Sequence, residues 1–251
     1  MSNRFLKQLI YGSFFIIIFL AFGYGFFLFI SPTSSCFDGK KNGLEENVDC
    51  GGSCQSCEIK ALSKLEVIKA MLIPAKEGSS VLVFQIKNPN PFYGASSFFY
   101  KVYNETGEFS FLLSSGESFI YSGETKYVIE PLLSLNAESV KNIVVSLDNI
   151  SWSRRDAFNS PDLNIRETST KLENDSISVS GIISNRDTFN FSKIPVEVLF
   201  FDAANNLIGA SKTEIKDLKS FTERQFIITY PSIPADPGKT KIFFDAKKTV
   251  F

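Results

Sequence analysis

The chain has 251 residues, 26 of them basic and 27 acidic, with 26 phenylalanines, four cysteines and no histidine. Without imidazole there is no Ser-His-Asp or Cys-His nucleophile pair, no histidine base at neutral pH, and no mixed Cys/His or His/carboxylate metal site. A formal net charge of −1 supplies no basic field for a phosphate backbone, so nucleic acid is not an expected partner, while 44% apolar content suffices for one large or two ordinary cores.

Residues 1–8 form a short polar stub containing Arg4 and Lys7. Residues 9–30 follow without a single charged side chain, dominated by Phe, Ile and Leu. As a helix these 22 residues reach roughly 33 Å, which matches the roughly 30 Å hydrocarbon core of a bilayer. The segment is longer than the apolar region of a cleaved signal peptide, and residues 31–35 make a poor small-x-small cleavage site. The expectation is an uncleaved single-pass anchor in membrane lipid. Arg4 and Lys7 keep the N-terminus in the cytoplasm and leave the C-terminal part outside. Ala21 and Gly25 form a small-xxx-small pair, read as packing tolerance or as a close helix contact.

All four cysteines, Cys36, Cys50, Cys54 and Cys57, fall just after this span, and none occurs later. Outside the membrane two disulfides are expected, with three pairings open. A four-thiolate zinc site or a redox Cys-x-x-Cys at Cys54 and Cys57 lacks the usual spacing or context. Between Cys36 and Cys50, Asp38, Asn42, Glu46 and Asp49 fall at the first, fifth, ninth and twelfth positions of a calcium loop, with Gly43 at the sixth. Lys40 occupies a ligand position, so a calcium site and a metal-free disulfide knot are both open readings. No other cofactor is implied. The Asp38-Gly39, Asn42-Gly43 and Asp49-Cys50-Gly51-Gly52 elements, with Cys54 and Cys57, resemble a cysteine-rich module of bacterial and archaeal surface proteins. That resemblance implies an extracytoplasmic spacer, here residues 31–60.

From residue 62 the pattern changes to short runs of Val, Ile, Phe, Tyr and Thr between Gly, Asn, Pro, Ser and Asp clusters. This predicts an all-β region. Six strands are expected over 65–73, 81–87, 97–103, 108–113, 126–130 and 141–150, and six more over 163–172, 176–184, 196–202, 207–213, 224–229 and 241–245. The two sets run in parallel. Asn88 corresponds to Asn185, Tyr103 (with Gly107) to Phe201 (with Gly209), and Glu124 (before Pro131) to Glu223 (before Pro231), at offsets of 97, 98 and 99. Such drift by single residues predicts duplication, and the expected fold is two tandem immunoglobulin-like β-sandwiches, 61–157 and 158–251.

Asn88-Pro89-Asn90-Pro91 followed by Phe99-Tyr100-Lys101-Val102 resembles the water-stress and hypersensitive-response domain of late-embryogenesis-abundant proteins, over residues 62–152. Gly181 to Asn185, then Val196-Glu197-Val198-Leu199-Phe200-Phe201-Asp202 with Asn206 and Gly209, resembles the FxLYD type of bacterial domain, over residues 162–251. Both families are small β-sandwiches, and neither resemblance implies a catalytic residue.

The asparagines at strand ends read as turn formers, because Asn bonds nearby backbone and Asn-Pro forces the chain out of the strand. Glu45 with Glu46 and Asp217 with Glu223 read as solvated acidic pairs. Trp152 beside Arg154 and Arg155 is a candidate interaction patch or an interdomain packing element. The runs Phe98-Phe99-Tyr100 and Phe200-Phe201 are apolar on both strand faces, so one face is expected to meet the sister domain or a partner. The functional expectation is a non-enzymatic, membrane-anchored extracytoplasmic protein with a binding or structural role and an envelope protein or glycan partner. The alternatives are a subunit of an envelope secretion, pilus or transport assembly, and a carboxylate-dependent enzyme.

Overall fold

The computed structural model describes residues 3–30, 35–75, 78–106 and 109–248. Residues 31–34 of the cleavage-site reading, Gly107 of the second landmark and Glu108 at the head of a predicted strand lie outside the described residues. The chain forms two compact units, Met1–Leu62 and Ser63–Phe251.

In the first unit, α1 (Asn3–Ile30) is a 28-residue helix. Phe14, Phe15, Phe19, Phe22 and Phe26 are each more than half exposed, so the helix presents apolar side chains around its circumference. It is long and apolar enough to cross a membrane over Lys7–Phe27. The cysteine segment folds around two disulfides, Cys36–Cys54 and Cys50–Cys57, and ends in the single turn α2 (Cys57–Lys60).

The second unit is all-β. Its first six strands are β1 (Glu66–Pro74), β2 (Ser80–Lys87), β3 (Tyr93–Thr106), β4 (Phe109–Ile120), β5 (Thr125–Leu133) and β6 (Ile143–Arg154). The second six are β7 (Leu163–Leu172), β8 (Ser176–Asn185), β9 (Phe191–Phe201), β10 (Leu207–Leu218), β11 (Glu223–Pro231) and β12 (Lys241–Phe244). They build four antiparallel three-stranded sheets, ordered β1-β2-β5 and β4-β3-β6 in one half, β7-β8-β11 and β10-β9-β12 in the other. Each half is a two-layer sandwich, and the strand order of the second repeats that of the first. The first core gathers Leu82, Phe84, Ile86, Phe98, Tyr100 and Val102; the second gathers Ile177, Val179, Ile183, Val196, Val198 and Phe200. In each case alternate residues of the central strands point inward.

Several strands run past the lengths expected from sequence. Ser114-Ser115-Gly116 reads as a turn, yet β4 continues through it. Gly116 lies under the ring of Tyr100, and a Cβ there would sit 2.4 Å from the phenol oxygen, so the strand needs glycine to let Tyr100 into the core. Pro195 lies inside β9, a central strand. It sits where the β12 ladder ends: Phe244 pairs with Val196, and beyond it the Asp245 N–H donates to the Pro195 carbonyl.

The repeated asparagines make the same corner in both halves. The Asn88 side-chain amide donates to the carbonyls of Tyr93 (2.7 Å) and Tyr121 (2.9 Å), and its oxygen accepts from the Asn90 N–H. Asn185 donates to Phe189 (2.7 Å) and Lys219 (3.0 Å) and accepts from the Asp187 N–H. Both side chains are buried, at 0% and 2% exposure. The backbone N–H of each bonds the following turn, at Glu124 and Thr222. Asn90 and Asp187 then each accept from an N–H just ahead of the strand that opens their sandwich, at Ser63 and Asp162. This geometry corrects the third landmark. Lys87 pairs with Thr125 and Ser184 with Glu223, so this strand is offset by 98, not 99. A one-residue slip exchanges the faces of a strand, and the inward counterpart of Phe226 is Val128 instead of Tyr127.

Candidate functional site

The most concentrated unexplained chemistry lies where the two sandwiches meet. The outer face of β1-β2-β5 contributes Ile73, Val81, Val83 and Ile129, which cluster with Leu199 and Ala210 from the outer face of β10-β9-β12. β2 and β9 are therefore buried on both faces, which is why their sequences read as nearly continuous apolar runs. Phe201 packs into this joint, as its run predicted; Phe99 stays 46% exposed. A half-open cavity of about 90 Å3 is lined by Met71, Val83, Tyr127, Phe201 and Leu207, with Lys69 among its polar residues. Cavities that take whole small-molecule ligands run from roughly 300 Å3 upwards. This one has room for a single apolar side chain.

Polar groups are buried in and beside the joint. The Lys126 ammonium, 7% exposed, is 2.7 Å from an Asp245 carboxylate oxygen, donates to the Phe119 carbonyl at 2.9 Å and lies 3.6 Å from the centre of the Phe119 ring. Those contacts offset the desolvation of its charge. Lys212 donates across the joint to the Ile129 carbonyl at 2.8 Å. Glu197, directly opposite Lys212 in the β9–β10 ladder, is only 3% exposed, and its Oε2 has no hydrogen-bond partner. Burial, reinforced by the negative charge of Asp245, pushes its carboxyl up to about 8, although Lys212 and Lys126 pull the other way. Burial therefore favours its protonated form. Glu197 has Asp245 and Glu130 as electrostatic neighbours, yet none of the three lines the cavity. These groups escaped the sequence reading, although one carboxylate inside the run Ile194 to Phe201 was the available signal.

The cysteine segment brings together three of the four expected calcium ligands. The Asp49 carboxylate accepts from the Asp38 and Gly39 N–H groups at 3.0 Å each, and Asp38 accepts from the Lys40 N–H (2.9 Å) and the Asn42 amide (2.7 Å). Those donors hold the Asp38 carboxyl below the usual range, the Lys40 N–H most strongly. Glu46 is exposed, and Glu45, expected to be solvated, turns inward at 8% exposure to accept from the Asn42 and Asp49 N–H groups. The loop is thus closed by its own N–H donors. Among the described residues no group of three or more His, Cys, Asp or Glu is arranged to hold a metal ion. Gly51 and Gly52 have φ of 83° and 63°, and a Cβ at Gly52 would lie 2.1 Å from the Leu44 carbonyl, so the Asp-Cys-Gly-Gly element is a packing requirement.

Trp152 is half-buried against the core of the first sandwich. Arg154 and Arg155 are exposed beyond it and line an open depression with Phe92 and Asp156, to which Trp152 does not contribute.

No family model matches the chain, and no curated protein matches it in sequence. Among solved structures it is similar to a transglutaminase from red sea bream, at 7% identity over 74% of this chain with a TM-score of 0.23. The chain spans 30% of that enzyme's length.

Proposed function

We propose that this chain is a single-pass membrane-anchored protein whose two sandwiches stand outside the cytoplasm and serve as a non-catalytic binding or structural arm. The observation that carries this reading is the pairing of an N-terminal helix apolar on every described side with an all-β body whose buried polar groups serve corners and a joint. Arg4 and Lys7 ahead of the helix support an outward body, as do cysteines paired in disulfides. The resemblances of residues 62–152 and 162–251 to two families of small β-sandwiches support the same reading. The joint cavity has room for one side chain and not for a whole metabolite. Protease added to intact cells should remove the β-rich body and leave the helix in the membrane; a body that is protected in intact cells and cut only after lysis contradicts the orientation. Crosslinking in membranes should capture a protein or glycan, and an empty capture counts against a binding role.

A second reading, a subunit of an envelope secretion, pilus or transport assembly, is favoured by the exposed Phe99, Leu112 and Ile227 on sheet strands. Migration of the solubilised protein as a lone monomer would remove it.

A further inference from the structure

The chain crosses between the sandwiches twice. The first crossing is the linker after β6. Its start is fixed to the first sandwich: the Ala157 and Phe158 N–H groups donate to the Arg154 carbonyl, and the Phe158 ring, 6% exposed, stacks on Tyr121 with the ring centres 4.6 Å apart. Its end is fixed to the second, where the Asp162 N–H donates to the Asp187 carboxylate and the Asp162 carbonyl accepts from the Arg186 N–H. Asn159 and Ser160, both exposed, lie between the two anchorages.

The second crossing is made by residues 245–248, beyond β12. The Asp245 N–H still belongs to the second sandwich, donating to the Pro195 carbonyl at 2.9 Å, but its carboxylate meets Lys126 of β5 at 2.7 Å. Ala246, 4% exposed, accepts from the Tyr121 hydroxyl at 2.8 Å. The Lys247 ammonium donates to the Ser96 carbonyl of β3 at 2.6 Å. Lys248 then returns to the second sandwich, 2.5 Å from the Asp187 carboxylate. Tyr121 thus holds both crossings on the first sandwich, and Asp187 holds both on the second. Contacts between domains of one chain allow relative motion unless they are large and apolar, and the joint gathers only six buried apolar residues.

We infer that residues 245–248 are a latch: while they are seated the two sandwiches form one body, and when they lift off the sandwiches swing about Asn159 and Ser160 with both cores intact. Opening uncovers Val83 and Ile129 on one side and Leu199 on the other. The hooks on the first sandwich are Lys126 and Tyr121. Losing their two bonds, one of them between charged groups, should raise the open population by about tenfold or more.

The test uses a single introduced thiol as reporter, in the full chain in detergent micelles without reductant, since all four native cysteines are in disulfides. Val83→Cys reports the joint, while Val102→Cys and Val179→Cys report the two cores, where each valine is 0% exposed. Each reporter is reacted with a maleimide in the intact chain, in a chain ended after Phe244, and in a Tyr121→Phe, Lys126→Met double variant that keeps residues 245–248. Val83→Cys should react slowly in the intact chain and about tenfold faster or more in both altered chains, while the core thiols stay slow throughout. The double variant decides the case if the shortened chain loses its second core. Unchanged reactivity of Val83→Cys in the double variant overturns the proposal, because the joint then holds without its hooks. Equal acceleration of the core thiols in that variant also overturns it, because the segment is then part of the fold and not a latch.

Discussion

In the first sandwich the outer face of β2 carries Val81 and Val83, each 2% exposed; at the same positions β8 of the second carries Ser178 and Ser180, half-buried. Inward, the two strands are alike, with Leu82, Phe84 and Ile86 in one and Ile177, Val179 and Ile183 in the other, and both end at a buried asparagine. The comparison separates two constraints. The sandwich is specified by its inward residues and its asparagine corner, while the outer faces vary with what each sheet must meet. One outer face became a joint, and its counterpart stayed polar enough to remain in water.

The shared corner should be equally costly to break in both halves. Asn88→Ala and Asn185→Ala each leave two part-buried carbonyls and one N–H without their side-chain partner. At roughly 1–3 kcal/mol for each unsatisfied group, partly relieved by water, each should cost about 4 kcal/mol in urea unfolding. A large loss in one sandwich alone would show that the corners are not equivalent.

The joint should respond to pH through Glu197. The folded carboxyl of Glu197 lies near 8, above its ordinary value, so between the two the native state holds a proton that the unfolded chain releases. Its contribution is therefore most favourable at acid pH, declines as pH rises towards 8 and is flat above. Glu197→Gln should remove that slope and stabilise the protein by about 2 kcal/mol at pH 7. Parallel pH profiles for the two proteins in calorimetry would contradict the assignment. Exchanging the outer faces is a smaller perturbation. Val83→Ser should destabilise by about 1.5 kcal/mol through lost apolar burial, whereas Ser180→Val should stay within about 0.5 kcal/mol. Least of all should change at the cysteine segment, where N–H donors occupy the oxygens of Asp38 and Asp49. Calcium or a chelator should leave its melting temperature unmoved, and a rise with calcium would support the ion-binding reading of Asp38, Asn42, Glu46 and Asp49.

Periodicity and punctuation carried the strands, because inward positions alternate and turns need Asn, Gly and Pro. The asparagine corner was legible as a repeat, since its residues are close in sequence to the turns they close. Glu45 was not: whether an acid in a tight loop is solvated depends on which N–H groups the closed loop aims at it. The joint was half legible. Phe200-Phe201 announced a strand buried on both faces, but Phe98-Phe99 reads the same way and leaves Phe99 exposed. No local pattern states which sheet a second domain covers. For the same reason Glu197 and Lys126 could not be paired with their surroundings, because their neighbours come from strands far apart in the chain.

The account stands on two copies of one sandwich joined by an asymmetric face, and the same substitution at matched positions tests it most directly. Ile129 in the joint is 1% exposed, and its counterpart Ile227 on the free face is 66% exposed. Denaturant unfolding of Ile129→Glu should show a loss of at least about 3 kcal/mol, from a carboxylate forced into an apolar contact, while Ile227→Glu should fall within about 0.5 kcal/mol of the unsubstituted chain. Equal effects at the two positions would contradict the joint.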